Sequence, residues 1–140
     1  MNRIPPSERI QQQIDALLEG DLANAEDPIS QLILLATQRL AQEMLEQEVS
    51  DYLGRDHYER RDESTDQEGY RNGYRDMNMD TAEGRIQLKV PQVRETLEPY
   101  RSQLATFLRG NSDVLERLAV EMYTRGLSTR DIEAAFQEVT

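Results

Sequence analysis

The chain contains no cysteine and no tryptophan, and only one histidine among 140 residues. Without cysteine there is no disulfide, no zinc–thiolate site and no cysteine nucleophile. The lack of disulfides fits a cytoplasmic location, which is the expectation here. His57 stands beside Asp56 and Glu59 with no second imidazole at a helical spacing, so it reads as a solvated side chain rather than a metal ligand. No metal and no cofactor is expected in this chain itself. Long apolar runs are missing as well. The longest, Leu32–Ala36, is far too short to span a bilayer. The start, MNRIPPSERIQQQ, lacks the apolar core of a signal peptide. No membrane partner is expected. There is also no nucleophile–base pair and no glycine-rich phosphate loop, so the chain reads as non-catalytic on its own.

Positive charge is scarce: 16 Lys and Arg stand against 27 Asp and Glu, for a net charge of −11. Such a chain repels a polyanion at long range. The distribution is uneven, however. Residues 71–110 carry seven basic groups against five acids, while residues 1–50, 51–70 and 111–140 are all net acidic. A local positive excess therefore marks the middle of the chain. With 37% hydrophobic and 31% charged residues, the composition is globular with a modest core, enough for one ordinary domain or two small ones.

The hydrophobic period predicts an α+β chain, mostly helical, in four segments. Residues 1–54 form an N-terminal helical segment, 55–69 an exposed charged loop, 70–94 a turn and β-hairpin, and 95–140 the C-terminal helices. Pro5 and Pro6 delay the first helix, which Ser7 caps over about Glu8–Glu19, with Ile10, Ile14, Leu17 and Leu18 on one face and Gly20 ending it. Asp27-Pro28 is a strong helix start, a capping aspartate before a proline at the first helical position. From Pro28 to Leu53 apolar residues keep helical spacing until Gly54, a rod of about 38 Å. Its stripe suits packing on the first helix or pairing with another chain. In Tyr70–Arg75, YRNGYR, the Asn72-Gly73 dipeptide reads as a turn. From Met77 the period becomes two. Glu83-Gly84 turns the chain, and Ile86, Leu88 and Val90 alternate with Arg85, Gln87 and Lys89 until Pro91 ends the ladder. A lone hairpin is marginal in water, so its apolar face needs a cover. Leu104, Phe107 and Leu108 suggest a short helix ending at Gly110.

In the closing stretch, Val114, Leu115, Leu118, Ala119 and Met122 share one helical face. Gly126 suits a left-handed helix end, and Ser128 with Asp131 three residues on is a near variant of the capping box before a second helix. Helix, Gly-Leu-Ser turn, helix is an ordinary αα-hairpin or the first two helices of a DNA-binding helix-turn-helix. The third helix, which would read bases, does not follow, so Phe136 and Val139 are expected to be exposed.

In this order, MLEQEVSDYLG (Met44–Gly54), YRNGYR (Tyr70–Arg75), EGRIQLKVPQVR (Glu83–Arg94) and RGLSTRDIEAAF (Arg125–Phe136) resemble the N-terminal region of bacterial mutator-type insertion-sequence transposases, which are Asp-Asp-Glu transposases. The resemblance spans about Ile29–Thr140. It implies a longer protein, required in its intact form for transposition. In that protein this region binds the terminal inverted repeats of the element DNA, and a ribonuclease-H-like domain with an Asp-Asp-Glu triad and Mg2+ cuts and joins strands. No acid of this chain is assigned to the triad, and the chain is expected to be truncated before the catalytic domain. The candidate DNA contacts are Arg71, Asn72, Arg75, Arg85, Lys89 and Arg94 on the hairpin. Ser128, Thr129 and Arg130 join them at a helix N-terminus, where free N–H groups favour a phosphate. The alternative is a non-catalytic dimerisation or inhibitor module that pairs with itself or with intact transposase through the long helix.

Overall fold

The computed structural model describes residues 4–21, 27–54, 70–94, 96 and 100–125. The elements run α1 (Pro6–Ala16), α2 (Pro28–Leu53), β1 (Tyr70–Thr81), β2 (Gly84–Arg94), α3 (Gln103–Leu108) and α4 (Ser112–Arg125), with a π-helical turn at Leu17–Asp21 after α1. The chain is α+β and mostly helical, as the hydrophobic period predicts.

The long helix α2 is the hub, touching α1, β2, α3 and α4. Its ends follow local chemistry. The Asp27 side chain accepts from the Ser30 N–H at 3.4 Å, Pro28 takes the first turn, and Gly54 closes the helix at φ 71. Leu40, Leu45 and Leu53 are wholly buried, each contributing about 1.5–3 kcal/mol relative to exposure. One contiguous core joins Leu40, Met44 and Leu45 of α2 to Met77, Met79, Ile86, Leu88 and Val90 of the hairpin, Ala105 and Leu108 of α3, and Leu115, Ala119 and Met122 of α4. The hairpin's apolar face is thus covered by helices of its own chain. Ile10, Ile14 and Leu17 are also buried on the α1 side, where α1 packs against α2. Much of the stripe available for helix pairing is therefore filled from within.

Carboxylates of α2 complete the N-terminal ends of two other helices. Glu46 accepts from the Ser7 N–H at 2.9 Å and the Ser7 hydroxyl at 2.6 Å. Glu48 accepts from the Leu104 N–H at 3.1 Å and from the Ser102 hydroxyl, which itself accepts from Ala105 N–H. Free N–H groups at a helix start carry partial positive charge, so a carboxylate from a neighbouring helix satisfies and stabilises them. Here Ser7 differs from the sequence expectation. The helix begins at Pro6, with its missing N–H in the first turn. Ser7 lies inside the helix and ties α1 to α2 instead of capping it.

Three further expectations about the hairpin need correction. The loop is Ala82-Glu83, one residue earlier than expected, with Thr81 paired to Gly84 at φ 142. Asn72-Gly73 is not a turn but a bulge within β1, since these two residues lie between the pairs Arg71–Val93 and Tyr74–Pro91 and oppose Gln92 alone. Gly73, at φ 72, supplies the left-handed conformation there. Pro91 does not end the ladder, which continues to Arg94. In a two-stranded sheet each strand is an edge, and beside a bulge a missing N–H is tolerated.

The outer edge of β2 is closed by glutamines of α2. The buried Gln42 amide donates to the Lys89 carbonyl and accepts from the Lys89 N–H, both at 2.8 Å, and Gln38 donates to the Gln87 carbonyl at 2.9 Å. A side-chain amide so placed stands in for the next strand and removes an edge open to aggregation.

Candidate nucleic-acid interface

The register of the hairpin sorts its cations by face. Met77, Met79, Ile86, Leu88 and Val90 point into the core, so the alternate residues point outward. On that outer face Asp76 lies opposite Lys89, Asn78 opposite Gln87 and Asp80 opposite Arg85. Arg85 donates to Asp80 at 2.9 Å, and Lys89 pairs with Asp76. The hydrogen bond and charge of Arg85 hold the Asp80 carboxyl below its ordinary value, and Asp80 raises Arg85 in turn. The basic stripe read from Arg85 and Lys89 is therefore neutralised across the strands.

At the bulged end the arrangement changes. Arg71 is half-buried and donates to the Ser50 hydroxyl of α2 at 2.9 Å, a clip between hairpin and helix. Arg94 lies over the ring of its cross-strand partner Tyr70, 5.8 Å from the centroid, a cation–π contact that leaves the guanidinium edge in solvent. Arg75 pairs with Val90 and so belongs to the inner face, but at its rim, where it is exposed.

There a groove of about 360 Å³ opens between the hairpin and α3, lined among others by Asn72, Arg75, Gln92, Arg101, Thr106 and Arg109. Arg101 and Arg109 flank α3, which Glu48 and the buried Ala105 and Leu108 hold against α2. Sequence reasoning did not select these two arginines. They lie 26 and 34 positions from Arg75, and only the docking of α3 brings them to the bulge. Tyr100 also borders the groove, with its ring 4.8 Å from that of Tyr52. Burial, and then the adjacent Glu48 carboxylate, raises its phenol above the ordinary value.

Of the expected contacts, then, Asn72 and Arg75 meet in one groove, Arg71 and Arg94 engage neighbours, and Arg85 and Lys89 face carboxylates on the outer face. Ser128, Thr129 and Arg130 lie outside the described residues, as do Gly126, Phe136, Val139, His57 and all of residues 55–69, where the sequence predicts an exposed loop. The first helix of the expected helix-turn-helix is α4, which buries Leu115, Ala119 and Met122. Its Glu116 accepts from the Ala82 N–H at the hairpin turn at 2.7 Å. Among the described residues no three His, Cys, Asp or Glu side chains converge to hold a metal ion, and no helix is long and apolar enough to cross a membrane.

Comparison with known proteins gives a consistent result. The family profile described as "Transposase, Mutator family" matches residues 9–140. The chain is 31% identical over 107 residues to the transposase for insertion sequence element IS1201 of Lactobacillus helveticus, an alignment covering 76% of this chain and 28% of that protein. It is 33% identical over 98 residues to the transposase for insertion sequence element ISRM5 of Rhizobium meliloti (strain 1021), covering 70% and 23% respectively. The chain thus spans about a quarter of the length of these relatives.

Proposed function

The chain belongs to the mutator family of transposases, and from that premise we propose that it is the part of a transposase that binds the terminal inverted repeats of its element. The observation that carries this reading is the separation of charge on the hairpin. The cations near the turn are cancelled by Asp76 and Asp80, whereas Arg75 and Arg94 at the bulged end form no ion pair among the described residues. In a chain of net charge −11, cations kept from carboxylates suit phosphate contacts. Arg75, Arg94 and Asn72 meet the duplex in this reading, with Ser128, Thr129 and Arg130, outside the described residues, as further candidate contacts. Arg71 shapes the surface through Ser50, and Arg85 and Lys89 contribute little. Cutting and joining of strands belongs to the intact transposase and its Mg2+-dependent domain.

A gel-shift titration on inverted-repeat duplex against a scrambled duplex tests the reading. Specific binding separates the two by tenfold or more; equal, weak affinity for both removes the claim of specificity. A second reading is self-association, or pairing with intact transposase, at the N-terminal end of α2. It rests on Ile29, 65% exposed, and Leu18, 51% exposed. Light scattering at high micromolar concentration decides it, and a strictly monomeric chain excludes self-association.

A further inference from the structure

We propose that the groove between the bulged end of the hairpin and α3 is a binding site for the phosphodiester backbone of duplex DNA, with Arg75, Arg101 and Arg109 as its cationic donors. This rests on the DNA-binding reading above and adds two residues and a defined site to it.

Strand β1 contributes one guanidinium and the two flanks of α3 contribute one each. Arg75 comes from the inner rim of β1, Arg101 from the residue before the Ser102 cap of α3, and Arg109 from the residue after its last turn. All three are exposed, and among the described residues none has a carboxylate in ion-pair range. The same chain supplies acids to Arg39, Arg85 and Lys89. Three like charges around one groove repel one another, and no described acid lines it to relieve them. A phosphodiester does so, and the planar fork of a guanidinium matches its oxygens in pairs. Asn72, Gln92 and Thr106 line the same groove and can add neutral hydrogen bonds to sugar or phosphate oxygens.

A larger groove of about 580 Å³ beside α1 differs in charge. It sets Asp76 among Arg9 and Lys89, so its charge is mixed. The mouth beside α3 also lies at the end of the hairpin away from the turn, where Tyr70 and Arg94 form the terminal pair of the two strands. A backbone seated in the groove can continue across that cation–π pair.

The test is fluorescence anisotropy of the whole chain with a labelled duplex of about 20 base pairs, titrated between about 50 and 200 mM salt. Each phosphate neutralised contributes roughly 0.9 to the slope of log affinity on log salt. The double variant R101Q/R109Q is expected to lower the slope by about 2 and to weaken binding at low salt by tenfold or more. R75Q, on a different element, is expected to lower it by about 1. R85Q/K89Q should leave the slope unchanged. All these side chains are at least partly exposed, and circular dichroism confirms that each variant is folded. Binding by the unmodified chain with an unchanged slope in R101Q/R109Q and R75Q overturns the groove but leaves the DNA-binding reading standing. No binding by the unmodified chain overturns both. Equal affinity for an RNA duplex of the same length overturns the assignment to DNA.

Discussion

At the turn end of the hairpin, Arg85 and Lys89 face Asp80 and Asp76 across the strands, and the opposite face is packed into the core. At the bulged end, Arg75 faces Val90 and looks over a groove that Arg101 and Arg109 complete. The same two strands thus carry cations in two situations. Near the turn, an acid stands at each mirrored position and the charge is spent inside the fold. From Arg75 back to Arg71 the residues opposite are Val90, Pro91, Gln92 and Val93, and the bulge at Asn72-Gly73 interrupts the alternation. Cross-strand opposition, rather than the number of basic residues, decides which charges are available to a partner.

If the turn end is where the fold is held, the largest loss of stability should come from its core. Leu88 is wholly buried, and Leu88→Ala is expected to destabilise the chain by about 2–5 kcal/mol in urea unfolding. Next comes the edge of β2. Gln42→Ala strands the Lys89 N–H and C=O and is expected to cost about 1–3 kcal/mol, with faster hydrogen exchange at Lys89. At the bulge the cost should be smaller. A Cβ at Gly73 meets no atom within 4 Å, so Gly73→Ala pays only for its left-handed backbone, about 1 kcal/mol. Its DNA affinity should fall more than its stability, because the bulge sets where Asn72 and Arg75 point.

A pH effect is expected away from both ends. Burial, opposed by its bonds from Ser7 and Gln42, raises the Glu46 carboxyl above its ordinary value. The folded chain therefore holds that proton over an interval where the unfolded chain has lost it. Stability contributed by Glu46 is present below the ordinary carboxylate value and is lost as pH rises through the raised one. Urea midpoints of the native chain and of Glu46→Gln across that interval check this, since the variant should lack the decline. The smallest effect is assigned to the exposed pair at the turn. Asp80→Asn should leave the unfolding midpoint unchanged within error. It should, however, free Arg85 and strengthen non-specific DNA binding, making the turn end resemble the bulged one.

Much of the fold was legible from local chemistry. Asp27-Pro28 and Gly54 bound α2 as expected, and Met77, Met79, Ile86, Leu88 and Val90 marked the inner face of the hairpin. The bulge was not, because Asn72-Gly73 supports a turn or a bulge equally well and only pairing with β2 decides between them. Pro91 misled for the same reason, since its missing N–H ends a ladder only where a partner needs it. The neutralised face was readable in principle. Once the two-residue loop is placed at Ala82-Glu83, Asp80 meets Arg85 and Asp76 meets Lys89. The groove was not readable, because two arginines flanking a six-residue helix leave no pattern. Their meeting with Arg75 depends on Glu48 drawing the start of α3 onto α2.

Amide chemical-shift mapping with an inverted-repeat duplex distinguishes a DNA face at the bulged end from one at the turn end. Shifts are expected to concentrate at Asn72, Arg75, Gln92, Arg101, Thr106 and Arg109, with Asp80, Arg85, Gln87 and Lys89 nearly silent. Shifts centred on the outer face from Asp76 to Lys89, with the groove unmoved, would contradict it.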